Sequence, residues 1–169
     1  MTPHIRRIRA DEGPLLRALR LRALAEAPMA FGSTLAHEQG YPPDLWRERA
    51  AGASGGCDRA TFIAECDGPW VGLATGIARS EHQQSLEPLL VGMFVDSTVR
   101  RLGVGVGLVE AVSGWARACG ASRLALWVTS GNDPAVALYH RCGFRLTGIA
   151  RPLAHTPTLA EREMIRNLQ

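Results

Sequence analysis

Between residues 89 and 128 an apolar run, a glycine-rich turn, an amphipathic stretch and a second apolar run follow one another without a linker. Leu89 to Val95 has the composition of a central strand buried on both faces. Val104, Leu108, Val112, Trp115 and Cys119 recur at three and four residues, which predicts one long helical stripe against a sheet, stopped at Gly120. Leu124 to Val128 reads as a second buried strand. Strand, helix and strand in that order imply a right-handed parallel crossover, so the chain must build a layered α/β domain.

The flanking segments extend this frame. His4 to Ala10 reads as a short edge strand, and Asp11 as the cap of a helix with Pro14 in its first turn and Leu15, Leu16, Leu19 and Leu24 toward the core. Ala27 to Pro43 is broken by proline and glycine, with a short helix at most near Ser33 to Gln39, and Asp44 caps a further helix through about Ala51 that turns Leu45 and Trp46 inward. Thr61 to Glu65 and Val71 to Ala78 form a hairpin through Asp67 and Gly68. Ser80 to Glu87 reads as a surface loop. After the second buried strand, Asn132 and Asp133 offer caps for a short helix that Gly143 ends. Phe144 to Ile149 and Arg162 to Asn167 read as the last strands, separated by a proline- and threonine-rich loop. No repeat or linker divides the 169 residues, so residues 1–169 are expected to form one domain, a mixed β-sheet with helices on both faces.

Composition narrows the chemistry. All 19 basic residues are arginine, which removes lysine nucleophiles, Schiff-base lysines and phosphate-loop lysines from consideration. The net charge of +3 is too small, and its arginines too little interleaved with aromatics, to point to nucleic acid, although it suits an anionic cofactor. Cys57, Cys66, Cys119 and Cys142 form no CxxC pair and read as buried thiols, and the five histidines show no metal-ligand spacing, so no metal is expected. Without a membrane-length apolar run or a hydrophobic stretch in MTPHIRRIRADEG, neither a membrane span nor a signal peptide is expected, and the cytoplasm is the default location.

The segment VDSTVRRLGVGVG, Val95 to Gly107, joins the buried strand to the amphipathic helix. Such a junction can aim unpaired main-chain N–H groups at phosphate, because glycine permits close approach. Two phosphate loops fail here. The pattern GxGxxG read from Gly103 meets Leu108 at its last place, and a triphosphate loop needs a lysine. Close packing of helix on sheet is the competing use of these glycines. The run Arg100-Arg101-Leu102-Gly103-Val104-Gly105 resembles the signature of the GNAT superfamily of acetyl-CoA-dependent N-acetyltransferases: Arg or Gln, two residues, Gly, one residue, then Gly or Ala. NDPAVALYHRCGF, Asn132 to Phe144, resembles that superfamily's downstream motif, and both blocks occur in the family's order. Ser97 and Arg101 depart from it, standing where many members have proline and glycine.

The resemblance implies direct acetyl transfer from acetyl-CoA to a primary amine of a small molecule or peptide, with no acyl-enzyme. By it, Leu102, Gly103, Val104, Gly105 and Val106 cradle the pyrophosphate, and Arg100 serves either it or the adenosine phosphate. Main chain near Met93 to Val95, at Phe94 and Val95 above all, meets the acyl carbonyl if the strand is bulged and splays from Leu124 to Val128. Tyr139 becomes the general acid at the coenzyme sulfur, with packing beneath the pantetheine as its other use. Asn132 either contacts the pantetheine arm or caps its helix. The base is open among Glu65, Glu81, His82, Glu87, Asp96 and water. Acceptor contacts are expected from Ala27 to Trp46, with Phe31, Tyr41 and Trp46 as an amine-binding wall or as core, and from the loop His155 to Thr158. A non-catalytic acyl-CoA sensor of the same fold is the alternative, and relatives leave room for a homodimer.

Overall fold

The computed structural model describes residues 2–78 and 86–169. Seven strands form one mixed sheet in the order β1-β2-β3-β4-β5-β7-β6. They are β1 (His4–Arg7), β2 (Arg59–Glu65), β3 (Trp70–Ile77), β4 (Leu89–Val95), β5 (Arg123–Thr129), β6 (Arg145–Leu153) and β7 (Thr156–Asn167). Every neighbouring pair is antiparallel except β4 and β5, which the crossover helix joins in parallel as the sequence order requires.

Two apolar cores sit on opposite faces. On one, helices α1 (Gly13–Glu26) and α3 (Pro43–Ala53) bury Leu16, Leu19, Leu24, Trp46 and Ala50 against Ile63, Leu73 and Phe94. Between them lies the one-turn helix α2 (Leu35–Gln39), which Thr34 caps by accepting from His37 N–H. On the other face, α4 (Val104–Ala118) and α5 (Asp133–Arg141) pack through the predicted stripe, with Val104, Leu108, Val112 and Trp115 all buried.

Six expectations change. Leu15, expected toward the core, is exposed. Asp44 is not the cap of α3, whose N-cap is Pro42, and lies within its first turn. Asp11 is not the cap of α1. Glu12 holds that position, and its buried carboxylate accepts from Arg9 N–H and from the Arg6 guanidinium, tying the helix start to β1. The proline- and threonine-rich segment is not a loop, since β6 and β7 run on as a long hairpin whose turn is only residues 154–155. Pro152 lies on an edge strand, and Pro157 lies where β7 has outrun β5, which pairs only with Glu161 to Asn167, so neither proline removes a ladder bond of a central strand. The middle of β4 is only half-buried at Val91, Gly92 and Met93, because it lines open clefts. Finally, Cys57 and Cys119 are joined in a disulfide across 62 residues, while Cys66 and Cys142 are the buried thiols expected. Spacing in the chain carries no information on that pairing, which arises because the loop after α3 meets the end of α4, where Trp115 Nε1–H also donates to Gly56 O at 3.1 Å. Of the loop predicted over Ser80 to Glu87, residues 80–85 lie outside the described residues.

Candidate functional site at the break in the sheet

The parallel pairing of β4 with β5 is short, limited to Leu89 with Ala125 and Leu90 with Leu126. On its other side, β4 slips against β3 between the pairs Thr75–Val91 and Leu73–Phe94, so three steps along β4 oppose two along β3. Gly92 sits in this bulge at φ +65°, a left-handed conformation that glycine adopts without strain. Beyond Leu90 the two central strands therefore diverge, leaving β4 main chain without a partner on its β5 side.

The larger of the two clefts that meet at this break, about 630 Å³, opens into the divergence. Phe94 and Val95 of β4 line one side, and Asn132 and Tyr139 of the α5 region the other. At its end lie Arg100, Arg101, Gly103, Gly105 and Val106. The turn is a helix N-terminus whose first N–H groups are left open. Gly103 takes φ +81° as the N-cap, and Gly107 is the first N–H to reach a helical carbonyl, that of Gly103 at 2.9 Å. The N–H groups of Val104, Gly105 and Val106 have no intrahelical acceptor, and no side chain caps them. A Cβ at Gly105 would stand 3.0 Å from Leu138 Cδ2, so the absence of a side chain also lets α5 close on the turn.

Two predicted residues do not line the cleft. The Val104 side chain is buried in the core, and that of Leu102 is half-exposed. Any contribution from either is through main chain. Asn132 combines its two expected uses, since it lines the cleft while its Oδ1 accepts from Ala135 N–H at a long 3.4 Å. Tyr139 is buried, edge-on to Phe144, and burial together with the nearby Cys142 raises its phenol above the ordinary value, keeping it protonated.

A smaller cleft of about 420 Å³ lies on the α1 and α3 side. It meets the larger one at Leu90, Val91, Gly92, Trp127 and Ala30. Its polar wall is Arg20, Arg49, Arg59, Arg151, Glu38 and Glu161. Arg20 holds Glu38 through Nη2 at 2.8 Å and Nε at 3.0 Å, and Arg49 stands 3.8 Å from the same carboxylate. Burial works to raise Glu38, but the Arg20 hydrogen bonds and charge, with Arg49, hold its carboxyl below the usual range. Arg151 donates to Glu161 at 2.6 Å and lies 3.9 Å over the Trp127 ring. Phe31 and Trp46 line this cleft as well as closing the core, whereas Tyr41 stacks under Arg49 behind it. His155 does not line it. Its Nε2–H donates to Phe31 O at 2.7 Å, fastening the β6–β7 hairpin to the loop before α2.

The base candidates are spread elsewhere. Hydrogen bonds from Arg6 hold Glu65 low at the β1 edge, and Glu87 is paired with Arg123. Asp96 is held low by the main-chain and side-chain hydrogen bonds of Thr98, with Arg22 at 2.9 Å. None of the three lines either cleft, and Glu81 and His82 lie outside the described residues. Sequence reasoning missed the six charged residues of the smaller cleft as a group, because they come from α1, α2, α3, β2, β6 and β7 and share no local motif.

Known proteins fit this architecture. An acetyltransferase of the GNAT family from Streptococcus pneumoniae superposes with a TM-score of 0.81 at 21% identity, covering 98% of this chain and 99% of that one. The yncA protein of Salmonella typhimurium, solved with its cofactor acetyl-CoA, gives a TM-score of 0.76 at 18% identity over 100% and 95% of the two chains. A ribosomal-protein-alanine N-acetyltransferase from Brucella melitensis gives 0.75 at 21% identity over 97% and 99%. At these identities the likeness is one of fold. No curated protein matches the chain in sequence. The profile of the acetyltransferase (GNAT) family matches residues 22–144, from within α1 through both motifs to the start of β6. The chain belongs to the GNAT acetyltransferase family.

Proposed function

We propose that the protein is an N-acetyltransferase that moves an acetyl group directly from acetyl-CoA to a primary amine of a small molecule or peptide. The observation that carries this reading is the break at Gly92, where two clefts, one with a main-chain anion site and one with a polar wall, meet across unpaired β4 main chain. Meeting clefts let two substrates be held with their reacting atoms adjacent, which is the main requirement of a direct transfer.

The residues of the larger cleft fit coenzyme A. The N–H groups of Val104, Gly105 and Val106 suit its pyrophosphate, with Arg100 and Arg101 adding charge at the same end. The unpaired edge of β4 beyond Leu90 can accept an extended amide-bearing arm as an added strand segment. Bound acetyl-CoA supplies an activated acyl thioester. In the net reaction the acceptor nitrogen gains the acyl carbon and loses a proton to water, while the sulfur departs and gains one. Tyr139 is the proton-bearing group on the sulfur side. With its affinity for the proton raised by burial, it serves chiefly by donating a hydrogen bond to developing negative charge.

Thiol release from acetyl-CoA across an amine panel, with coenzyme A binding measured alongside, tests this reading. Turnover on at least one amine is expected. Binding without release for every amine favours the sensor. Tyr139→Phe should lower kcat by about 100-fold while leaving coenzyme affinity within about twofold. An unchanged kcat removes the acid role.

A further inference from the structure

The wall of the smaller cleft is cationic in excess, with four guanidiniums against two carboxylates. Both carboxylates are already engaged, Glu38 by Arg20 and Arg49 and Glu161 by Arg151. The hydroxyls of Thr61 and Thr75 bond each other at 2.8 Å. An ammonium entering this cleft meets no free carboxylate among the described residues. Arg59 is the opposite case. It starts β2 two residues before Thr61, so both side chains leave the strand on the same face, and among the described residues it has no carboxylate partner. Its guanidinium is disfavoured first by desolvation and then by the like charge of Arg49, whose own plane is held over Tyr41 at 4.7 Å and Trp46 at 5.2 Å. Two cations facing a shared space, with one carboxylate already divided between Arg49 and Arg20, form a seat for an anion.

Resting on the transfer reading above, we infer that the acceptor is a small amine that carries its own anionic oxyacid group, a carboxylate or phosphonate, held by Arg59 and Arg49 while its nitrogen reaches the bulge at Gly92. Arg20 holds Glu38, which Arg49 also approaches, and its Nη1 would lie 3.4 Å from a Cβ placed on Gly92. The same wall eases the chemistry. The four guanidiniums outnumber Glu38 and Glu161 by two, and an ammonium brought beside this net positive charge loses its proton more readily than in water. The attacking neutral amine therefore needs no strong protein base, which accounts for two clefts lined by no unpaired carboxylate or histidine among the described residues.

The test uses matched acceptors: amino acids, the corresponding amino acid amides, and aminoalkylphosphonates, each scored for thiol release and for calorimetric binding to the full chain saturated with free coenzyme A. The acids or the phosphonates should exceed the amides by roughly tenfold or more in kcat/KM, and the better of the two series names the oxyacid. Arg59→Gln should remove about tenfold on the anionic acceptor, a clearly smaller factor on its amide and less than twofold of coenzyme A affinity, and Arg59→Lys should restore part of the loss. Arg49→Gln should act in the same direction. Amides acetylated as well as both anionic series, or an anion preference untouched by Arg59→Gln, overturns the inference and leaves acetyl transfer standing. Anionic amines that bind through Arg59 without thiol release overturn transfer and leave the anion seat standing.

Discussion

The two clefts that meet at Gly92 are built by opposite means. The larger takes its polar groups from main chain at one turn, Gly103 to Val106, and nearly all its wall from one continuous stretch between β4 and α5. The smaller takes its polar groups from side chains on six separate elements, held by ion pairs and cation–π stacking. A main-chain site fixes what any member of the fold binds there and resists change by substitution. A side-chain site can be recharged residue by residue while the sheet stays the same. The difference implies that substitutions should separate cleanly into two sets, one moving coenzyme affinity and the other moving acceptor choice and local stability.

The largest expected effect lies in the smaller cleft. Glu38→Gln leaves Arg20 and Arg49 without their shared carboxylate in a buried setting, and should cost about 3 kcal/mol of folding stability, read from the denaturant midpoint. Because the folded-state carboxyl is held below its unfolded value, its stabilisation is complete above the ordinary carboxylate range. It is lost as the pH falls from about 4.5 through the lower folded value. The wild type should therefore lose part of its margin over the variant on acidification. Coenzyme A affinity at neutral pH should stay within about twofold. A parallel fall in coenzyme affinity would mean that the two clefts are one energetic unit.

The complementary substitution is Gly103→Val. A β-branched residue at φ +81° costs about 1–2 kcal/mol in strain, and relaxing that strain turns the N–H groups of the turn away from their common focus. Coenzyme A should bind roughly 10- to 100-fold more weakly, with acceptor preference at saturating acetyl-CoA unchanged. Nothing lies within 4 Å of the added Cβ, so the loss comes from backbone conformation alone, and undiminished affinity in a folded variant would remove the anion site from this turn.

The same contrast decides what could be read from the residues. The crossover from β4 through α4 to β5 was legible because hydrophobic period and caps act over a few residues, and the predicted stripe from Val104 to Trp115 is buried as expected. The bulge and the splaying of β4 from β5 are implied only by the family resemblance, and the one local mark of them is Gly92 within the apolar run. That glycine marks a break, but it does not say that β5 diverges on the other side. Arg20, Arg49, Arg59 and Arg151 read singly as surface charges, and they become one wall only when α1, α3 and β2 from one side of the break meet β6 from the other. The Cys57–Cys119 bridge was lost for the same reason, being a contact that only tertiary packing creates.

The smallest predicted effect concerns Arg101, the departure from the family signature. It stands at φ +69°, where many relatives have glycine, so the chain accepts left-handed strain at a residue that also lines the larger cleft. Strain relief in Arg101→Gly is worth about 1–2 kcal/mol, offset by roughly 0.5–1 kcal/mol for the added freedom of glycine in the unfolded chain. The net gain of about 0.5 kcal/mol should raise the thermal midpoint by roughly 1–2 °C. Coenzyme A should bind up to about threefold more weakly and with a shallower salt dependence, since one positive charge leaves the phosphate end. A rise in stability with that small loss of affinity would show that the arginine is kept for its charge at a conformational cost. A fall in the midpoint would show instead that the Arg101 side chain makes a stabilising contact larger than the backbone strain it carries.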